Sequence, residues 1–266
     1  MNWREREAEA AATLRECRAA LAARGSTVIG EVKGAGPAEM VDWQHYPEGE
    51  VYDPASHAQY FYHRHSGPSR RRPAQPAEHG HFHLFLRGEG VPPGITPLLA
   101  PELAVANAPA PRQSAPLKLG SRDEVCHLVA LAVDGRGEPL RFFTTNRWVT
   151  GETWYRADDV IRMLDRFRLR CERPSALLNR WISALVRLFQ PEIATLLRER
   201  DHAILEQRWR WRGNVLEDPR LEITSSIEID LDARLAGVEQ RANPSAAAPG
   251  ASRARGLPRM ADGWGA

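Results

Sequence analysis

Hydrophobic and polar positions alternate along several short segments of the chain, as they do in β-strands that have one buried face. The segments with this alternation or with a short apolar run predict strands at 58–65, 79–87, 124–133, 139–145 and 220–230. Apolar residues recur every three or four positions in other segments, which predict helices at 3–24, 157–171, 174–189 and 191–211. A run of strands followed by a run of helices is typical of the α+β class. We therefore expect an antiparallel sheet with N-terminal and C-terminal helices packed on it.

The same pattern predicts how the chain is organised into domains. With 266 residues, 42% of them hydrophobic, the chain is long enough to bury one substantial core or two small ones. We expect an N-terminal helix in residues 1–24, a single α+β domain in residues 25–241 and a disordered tail in residues 242–266. Residues 25–56 are rich in turn formers, so the sequence predicts irregular structure there. The tail offers almost no large side chains to bury, which favours disorder.

Charge and cysteine content narrow the kinds of partner. The formal net charge is +2, from 36 basic and 34 acidic residues, so a nucleic-acid partner is not indicated. The first residues lack the apolar segment of a signal peptide, and no apolar window of about 18 residues predicts a membrane span. Cys17, Cys126 and Cys171 have neither metal-site nor disulfide-framework spacing. We expect a cytoplasmic protein with a small-molecule substrate, no nucleic acid and no membrane contact; the oligomeric state stays open.

The histidines are concentrated in one part of the chain. Eight of the nine lie between residues 45 and 127, and three of them alternate in the segment EHGHFHLFLR. Strand residues at i and i+2 share a face and lie about 6.6 Å apart, so two imidazoles can bind one ion more easily than three. The spacing predicts that His81 and His83 bind a divalent metal together with histidines from a neighbouring strand. The candidates for these further ligands are His63, His65 and His127.

The residues around this segment suggest an enzyme. Without cysteine nearby, histidine ligands favour zinc or iron(II) in an open catalytic site. His79 lies one step along the strand, and together with Glu78 it is our candidate for catalytic acid–base chemistry. We expect a metal-dependent enzyme that acts on a small anionic substrate, either as a hydrolase or as an iron-dependent oxygenase.

Two alternatives to a metalloenzyme stay open. The histidines could be half-buried strand residues that only bond to their neighbours. The protein could instead be a non-catalytic carrier of metal or haem, because aromatic residues close to the histidines could line an apolar haem pocket. These aromatic residues are Tyr60, Tyr62, Phe82 and Phe85.

A second segment, FFTTNRWVTGETWYRADDV, leaves a strand through a loop and enters a helix near residue 157. Loops at strand ends commonly carry binding groups. Asn146, Arg147 and Glu152 are therefore predicted to bind the substrate, with Arg147 meeting its carboxylate or phosphate. The alternative is a structural loop, which its two tryptophans hold on the core while Arg147 pairs with Glu152.

Two resemblances to known families accompany these motifs. The segments HYPEGEVYD, EHGHFH and TNRWVTGETWY together resemble the signature of a family of uncharacterised bacterial proteins, a domain of unknown function, over about residues 40–210. That resemblance implies no activity and no ligand. The segment HGHFHLF also resembles the H-φ-H-φ-H-φ-φ motif of the histidine-triad nucleotide hydrolases and transferases, with Gly80 at the first φ position. This second resemblance implies a reaction without metal, in which His81 attacks an α-phosphate.

Overall fold

Six strands form one antiparallel sheet in which each strand pairs with the next one along the chain. The computed structural model describes residues 2–34, 39–65, 78–98 and 124–243. The strands are β1 (Tyr46–Tyr52), β2 (Ala58–His63), β3 (Gly80–Arg87), β4 (Val125–Val133), β5 (Pro139–Thr145) and β6 (Ile223–Glu228). The α-helices of the described residues are α1 (Trp3–Ala23), α2 (Val28–Lys33), α3 (Arg147–Thr150), α4 (Ala157–Leu164), α5 (Ala176–Leu188), α6 (Gln190–Arg210) and α7 (Leu231–Ala242). The predicted α+β class is confirmed, as are the antiparallel sheet and the helices at both ends.

Helix α1 shows how local signals and packing agree at the start of the chain. The side chain of Asn2 accepts a hydrogen bond from the backbone N–H of Glu5, and the Glu5 carboxylate accepts one from the backbone N–H of Asn2. This reciprocal cap satisfies two N–H groups that a helix start otherwise leaves without partners. Leu14 and Cys17 recur at helical spacing and are completely buried, on the helix that packs against α5.

The sheet has two faces of different chemistry. On one face, the hydroxyl of Tyr60 donates to Oδ1 of Asn179 in α5 at 2.8 Å, and the ring of Phe82 packs 6.5 Å from the ring of Trp181. These aromatic residues therefore belong to the core between sheet and helices. Because side chains alternate along a strand, the histidines of β2 and β3 point to the opposite face.

The prediction of irregular structure for residues 25–56 is wrong in two places, since α2 and β1 lie there. Pairing of β1 with β2 is interrupted between Tyr46 and Val51 by a bulge. Gly49 and Glu50 in this bulge have positive φ angles of 73° and 56°. The turn-forming residues of HYPEGEVYD thus lie within an irregular strand. A search for alternating hydrophobic and polar residues does not detect a strand of this kind.

Most of the predicted disordered tail, residues 242–266, lies outside the described residues, which end at position 243. Helix α7 extends through Ala242, so the folded part reaches the first residue of that segment. In the part of the chain that the structure describes, no helix has the length and apolar character needed to cross a membrane.

Candidate metal centre

Strands β2 and β3 bring three histidines together. His63 lies directly opposite His81 in the antiparallel register, and His83 follows two positions along β3 on the same face. One ring nitrogen from each of the three lies within 4.8 Å of the other two. The rings of His81 and His83 are almost fully buried, and His63 is half-buried. Two adjacent strands thus direct three imidazole donors at one point.

The distance between the first two donors indicates how closely this arrangement matches a metal site. Nε2 of His63 lies 2.8 Å from Nε2 of His81, which is a hydrogen-bond distance. Two nitrogens at about 2.0–2.1 Å from a tetrahedral zinc ion would lie roughly 3.3 Å apart. An ion would therefore require these rings to separate by about half an ångström, a shift within the reach of side-chain torsions.

A carboxylate holds the orientation of His81. Oε1 of Glu78 lies 2.9 Å from Nδ1 of His81, and Nη2 of Arg141 donates to Oε2 of the same carboxylate at 2.8 Å. With the Nδ1 proton donated to Glu78, the lone pair of His81 is on Nε2, which faces the other two histidines. Metal-binding histidines are commonly oriented in this way by a carboxylate on their second nitrogen.

His83 has a different partner on its second nitrogen. Its Nδ1 lies 3.1 Å from Nε2 of His127, which is itself buried. Burial lowers the pKa of His127 to about 3, and Arg200 adds to this effect, so the ring is neutral at neutral pH. The backbone N–H of His127 donates to Glu152 at 2.8 Å, and burial raises the pKa of Glu152 to about 7 although Arg200 opposes this effect. Glu152, His127 and His83 therefore form a polar chain inside the protein, in which Glu152 is linked to the backbone of His127 and the ring of His127 is linked to the ring of His83.

A β-bulge directs His127 towards His83. The register between β3 and β4 shifts between Leu84 and Phe85, so Leu128 is an extra residue in β4. Because of this extra residue, His127 lies on the histidine face opposite Phe85. Regular alternation through β4 would have placed the imidazole on the helix face.

Arg141 belongs to the site although no sequence pattern predicted it. It lies in one row across the sheet with Ala132 and His81, and the small alanine leaves room for the guanidinium to reach Glu78. The guanidinium carbon also lies 4.4 Å from the centre of the Phe143 ring. The only available signal was an arginine among the apolar residues of PLRFFTT, which does not specify a role.

Besides His127, two further predicted site histidines lie outside the group of three converging nitrogens. Nδ1 of His79 is 2.6 Å from the hydroxyl of Tyr62, and burial lowers the pKa of His79. The ring of His65 stacks on Trp43, with centroids 4.4 Å apart, and lies 5.1 Å from the ring of His81. Among the described residues, neither one contributes to the converging group.

The loop that follows β5 holds the three predicted substrate-binding residues. Nδ2 of Asn146 donates to the carbonyl oxygen of Val215 at 2.8 Å, and the Arg147 guanidinium pairs with Glu217. Both Asn146 and Arg147 are buried. Glu152 instead joins the polar chain that ends at the histidines. The structure thus connects Glu152 with the site and places the other two residues in contact with residues 215–217.

Comparison with known proteins places the chain in a family without assigning it an activity. No curated protein and no solved structure matches the sequence. A family model described as "Domain of unknown function (DUF6969)" matches residues 8–229, which is most of the chain. The predicted resemblance to a domain of unknown function is thereby confirmed. The chain belongs to the DUF6969 family.

Proposed function

We propose that His63, His81 and His83 bind one divalent transition-metal ion and that the protein is a metal-dependent enzyme acting on a small anionic substrate. The main support is the convergence of three imidazole nitrogens within 4.8 Å on two adjacent strands. Both buried ligands also have a partner on their second nitrogen, Glu78 for His81 and His127 for His83. Three protein ligands leave a coordination position for substrate, as in catalytic zinc sites.

The ligand chemistry favours zinc or iron(II). Imidazole suits both ions, and among the described residues no thiolate lies in the converging group. His63 and His81 cannot be the two axial ligands of one haem, because axial ligands bind from opposite sides of the porphyrin, whereas Nε2 of His63 and Nε2 of His81 are only 2.8 Å apart. The deep burial of His81 and His83 favours an ion that stays in the protein over one that is handed on.

The charges of the site favour an anionic substrate. Three neutral imidazoles leave the ion its full positive charge, and Arg141 and Glu78 compensate each other at 2.8 Å. Nε of Arg141 is buried and has no hydrogen-bond acceptor among the described residues. A bound ion would polarise a carbonyl or phosphoryl oxygen of the substrate. Glu152 accepts a hydrogen bond from the backbone N–H of His127, and burial raises its pKa to about 7, so it can hold or release a proton next to that residue.

The histidine-triad alternative receives less support from the geometry. A nucleophilic His81 needs one ring nitrogen directed at the phosphate, yet Nδ1 lies 2.9 Å from Glu78 and Nε2 lies 2.8 Å from His63. His79, the first histidine of that motif, bonds to Tyr62 instead of joining the other two. We therefore place the metal hypothesis first.

Metal analysis of protein purified without a histidine tag tests the proposal. We expect about one equivalent of zinc or iron per chain by inductively coupled plasma mass spectrometry, and a loss of that metal in His81→Asn. His202→Asn is the matched control, since His202 is exposed on α6 and pairs with Glu206. Wild-type protein that carries no metal, even after incubation with zinc or iron(II) and desalting, would contradict the proposal. Equal metal content in wild type and His81→Asn would contradict it as well.

A further inference from the structure

An exposed tryptophan stands beside the half-buried edge of the histidine group. Trp43 is 66% exposed, although one face of its indole stacks on His65 with the rings 4.4 Å apart and 18° from parallel. The indole also lies perpendicular to the ring of His63, with centroids 6.2 Å apart. Because one face is covered, most of the exposed area must come from the other face and the edges.

The backbone holds this tryptophan in an unfavourable conformation. Trp43 has a φ of 67°, in the left-handed region that residues with a side chain avoid. Its N–H donates to the carbonyl oxygen of Arg64 at 2.8 Å, and Nε of Arg64 lies 2.9 Å from Oδ1 of Asp42. The end of β2 thus fixes the position of Trp43. Strain of this kind persists where the surroundings enforce it and is concentrated at functional sites.

Other flat rings border the same edge of the site. The ring of His45 stacks on Phe61 with centroids 3.7 Å apart, and it lies 5.7 Å from the ring of His63. Nδ1 of His45 is 2.9 Å from the Glu50 carboxylate, so this nearby acid is paired. The half-buried ligand His63 is therefore bordered by the rings of Trp43 and His45.

From these contacts we infer that Trp43 is a stacking platform for the substrate, which is a planar aromatic or heteroaromatic ring with an anionic, metal-binding group. The inference rests on the proposed metal site and adds the class of substrate. The anionic group would bind at the coordination position left by the three histidines, and the ring would cover the exposed indole next to His63. Offset or edge-on contact between aromatic rings is favourable beyond the area that it buries. An aliphatic anion would leave the indole exposed to water.

Two probes with the same chelating group test the platform. Benzohydroxamate and acetohydroxamate differ only in that one has an aromatic ring where the other has a methyl group. Each is titrated calorimetrically into zinc-loaded protein, and the ratio of the two affinities is compared with the ratio for free zinc. We expect wild type to favour the aromatic probe by about tenfold beyond that baseline.

Variants of Trp43 assign this preference to the indole. In Trp43→Ala the ratio should fall to the baseline, whereas Trp43→Phe should retain most of it. Trp209→Ala is the matched control, since Trp209 is 91% exposed on α6, and it should bind like wild type. Both probes bind the metal through the same group, so a change in the affinity of the zinc ion for hydroxamate affects both equally and leaves the ratio of the two affinities unchanged. This holds also if the ring of His65, which stacks on Trp43, moves in Trp43→Ala. Zinc content and thermal melting, measured on every variant, establish that each one is folded and loaded.

The possible failures are distinguishable. An equal ratio in wild type and Trp43→Ala overturns the platform and leaves the metal site standing. Zinc-loaded wild type that binds neither probe also overturns it, because the position beside Trp43 would then be closed to ligands. Protein that takes up no zinc before any probe is added overturns the proposed function and this inference with it.

Discussion

The carboxylate of Glu78 lies 2.9 Å from Nδ1 of His81, at the start of the strand that also carries His83. This contact decides which nitrogen of His81 faces the other histidines. On the other side of the site, His127 occupies the corresponding position at Nδ1 of His83, 3.1 Å away. The two buried histidines are thus oriented from behind by different residues, and each of these can be altered without changing a proposed ligand.

Replacing Glu78 should weaken metal binding without abolishing it. Glu78→Gln keeps the shape of the side chain but removes the charge that holds the Nδ1 proton of His81, so zinc affinity should fall about tenfold or more. Competition with a chromophoric chelator measures the change. Glu89→Gln is the control, because Glu89 is also a strand-end acid but lies 3.3 Å from His57. Unchanged zinc affinity in Glu78→Gln would show that Glu78 does not support His81.

Glu152 should make stability depend on pH. Burial raises its pKa from 4.5 to about 7, so the folded protein keeps this proton to a higher pH than the unfolded chain. The stabilisation is fully present below about pH 4.5 and is lost as pH rises through about 7. Between these values the unfolding free energy of wild type should fall by about 3 kcal/mol relative to Glu152→Gln. Denaturant unfolding between pH 4.5 and 7 measures this difference. If the unfolding free energies of wild type and Glu152→Gln changed with pH in parallel, Glu152 would not be the group responsible.

Gly80 should be required for the alignment of β2 with β3. A β-carbon at this position would contact the Tyr62 hydroxyl and lie 2.5 Å from the carbonyl oxygen of His63. Gly80→Ala should therefore cost about 1–3 kcal/mol of unfolding free energy, and it should also weaken zinc binding because His63 must move. Gly135→Ala is the control, since a β-carbon there meets nothing within 4 Å. Equal stability of the two variants in thermal and denaturant unfolding would contradict this role.

Arg147 should matter for stability and not for the metal. Because its guanidinium is buried against Glu217, Arg147→Met should lower the unfolding free energy by about 2 kcal/mol and leave zinc affinity unchanged. In Arg147→Met the carboxylate of Glu217 loses the guanidinium with which it pairs. Adding Glu217→Gln removes this negative charge, so the double variant should recover part of the unfolding free energy that Arg147→Met loses. A change in hydroxamate affinity at constant stability would instead support the predicted role of Arg147 in substrate binding.

Much of the fold could be predicted from periodicity. Alternation identified β2 and β3, a short apolar run identified β4, and spacings of three and four identified α1 and α6. The same alternation places His81 and His83 on one face. It could not choose between His63 and His65, because the choice depends on where β2 ends. Since β2 ends at His63, the ladder aligns that residue with His81, and His65 stacks on Trp43 beyond the sheet.

Other features depend on relationships that a single strand does not contain. The extra residue Leu128 turns His127 towards the site, and alternation alone gives no sign of it. Arg141 reaches Glu78 because the small Ala132 stands between Arg141 and His81 in one row of the sheet, which is a matter of register across three strands. His79 pairs with Tyr62, a residue of the neighbouring strand. The spacing of the histidines therefore predicted the main residue type of the site, and the register determines which histidines meet and which other side chains reach them.

Zinc titration of metal-stripped protein tests the central claim most directly. Wild type should bind one zinc ion per chain, and His63→Ala, His81→Ala and His83→Ala should each lose at least about tenfold in affinity while far-ultraviolet circular dichroism stays unchanged. His79→Ala should bind zinc like wild type, because His79 bonds to Tyr62 and lies outside the converging group. Wild-type protein that binds no stoichiometric zinc, or single variants that all bind it as tightly as wild type, would contradict a metal centre at these three histidines.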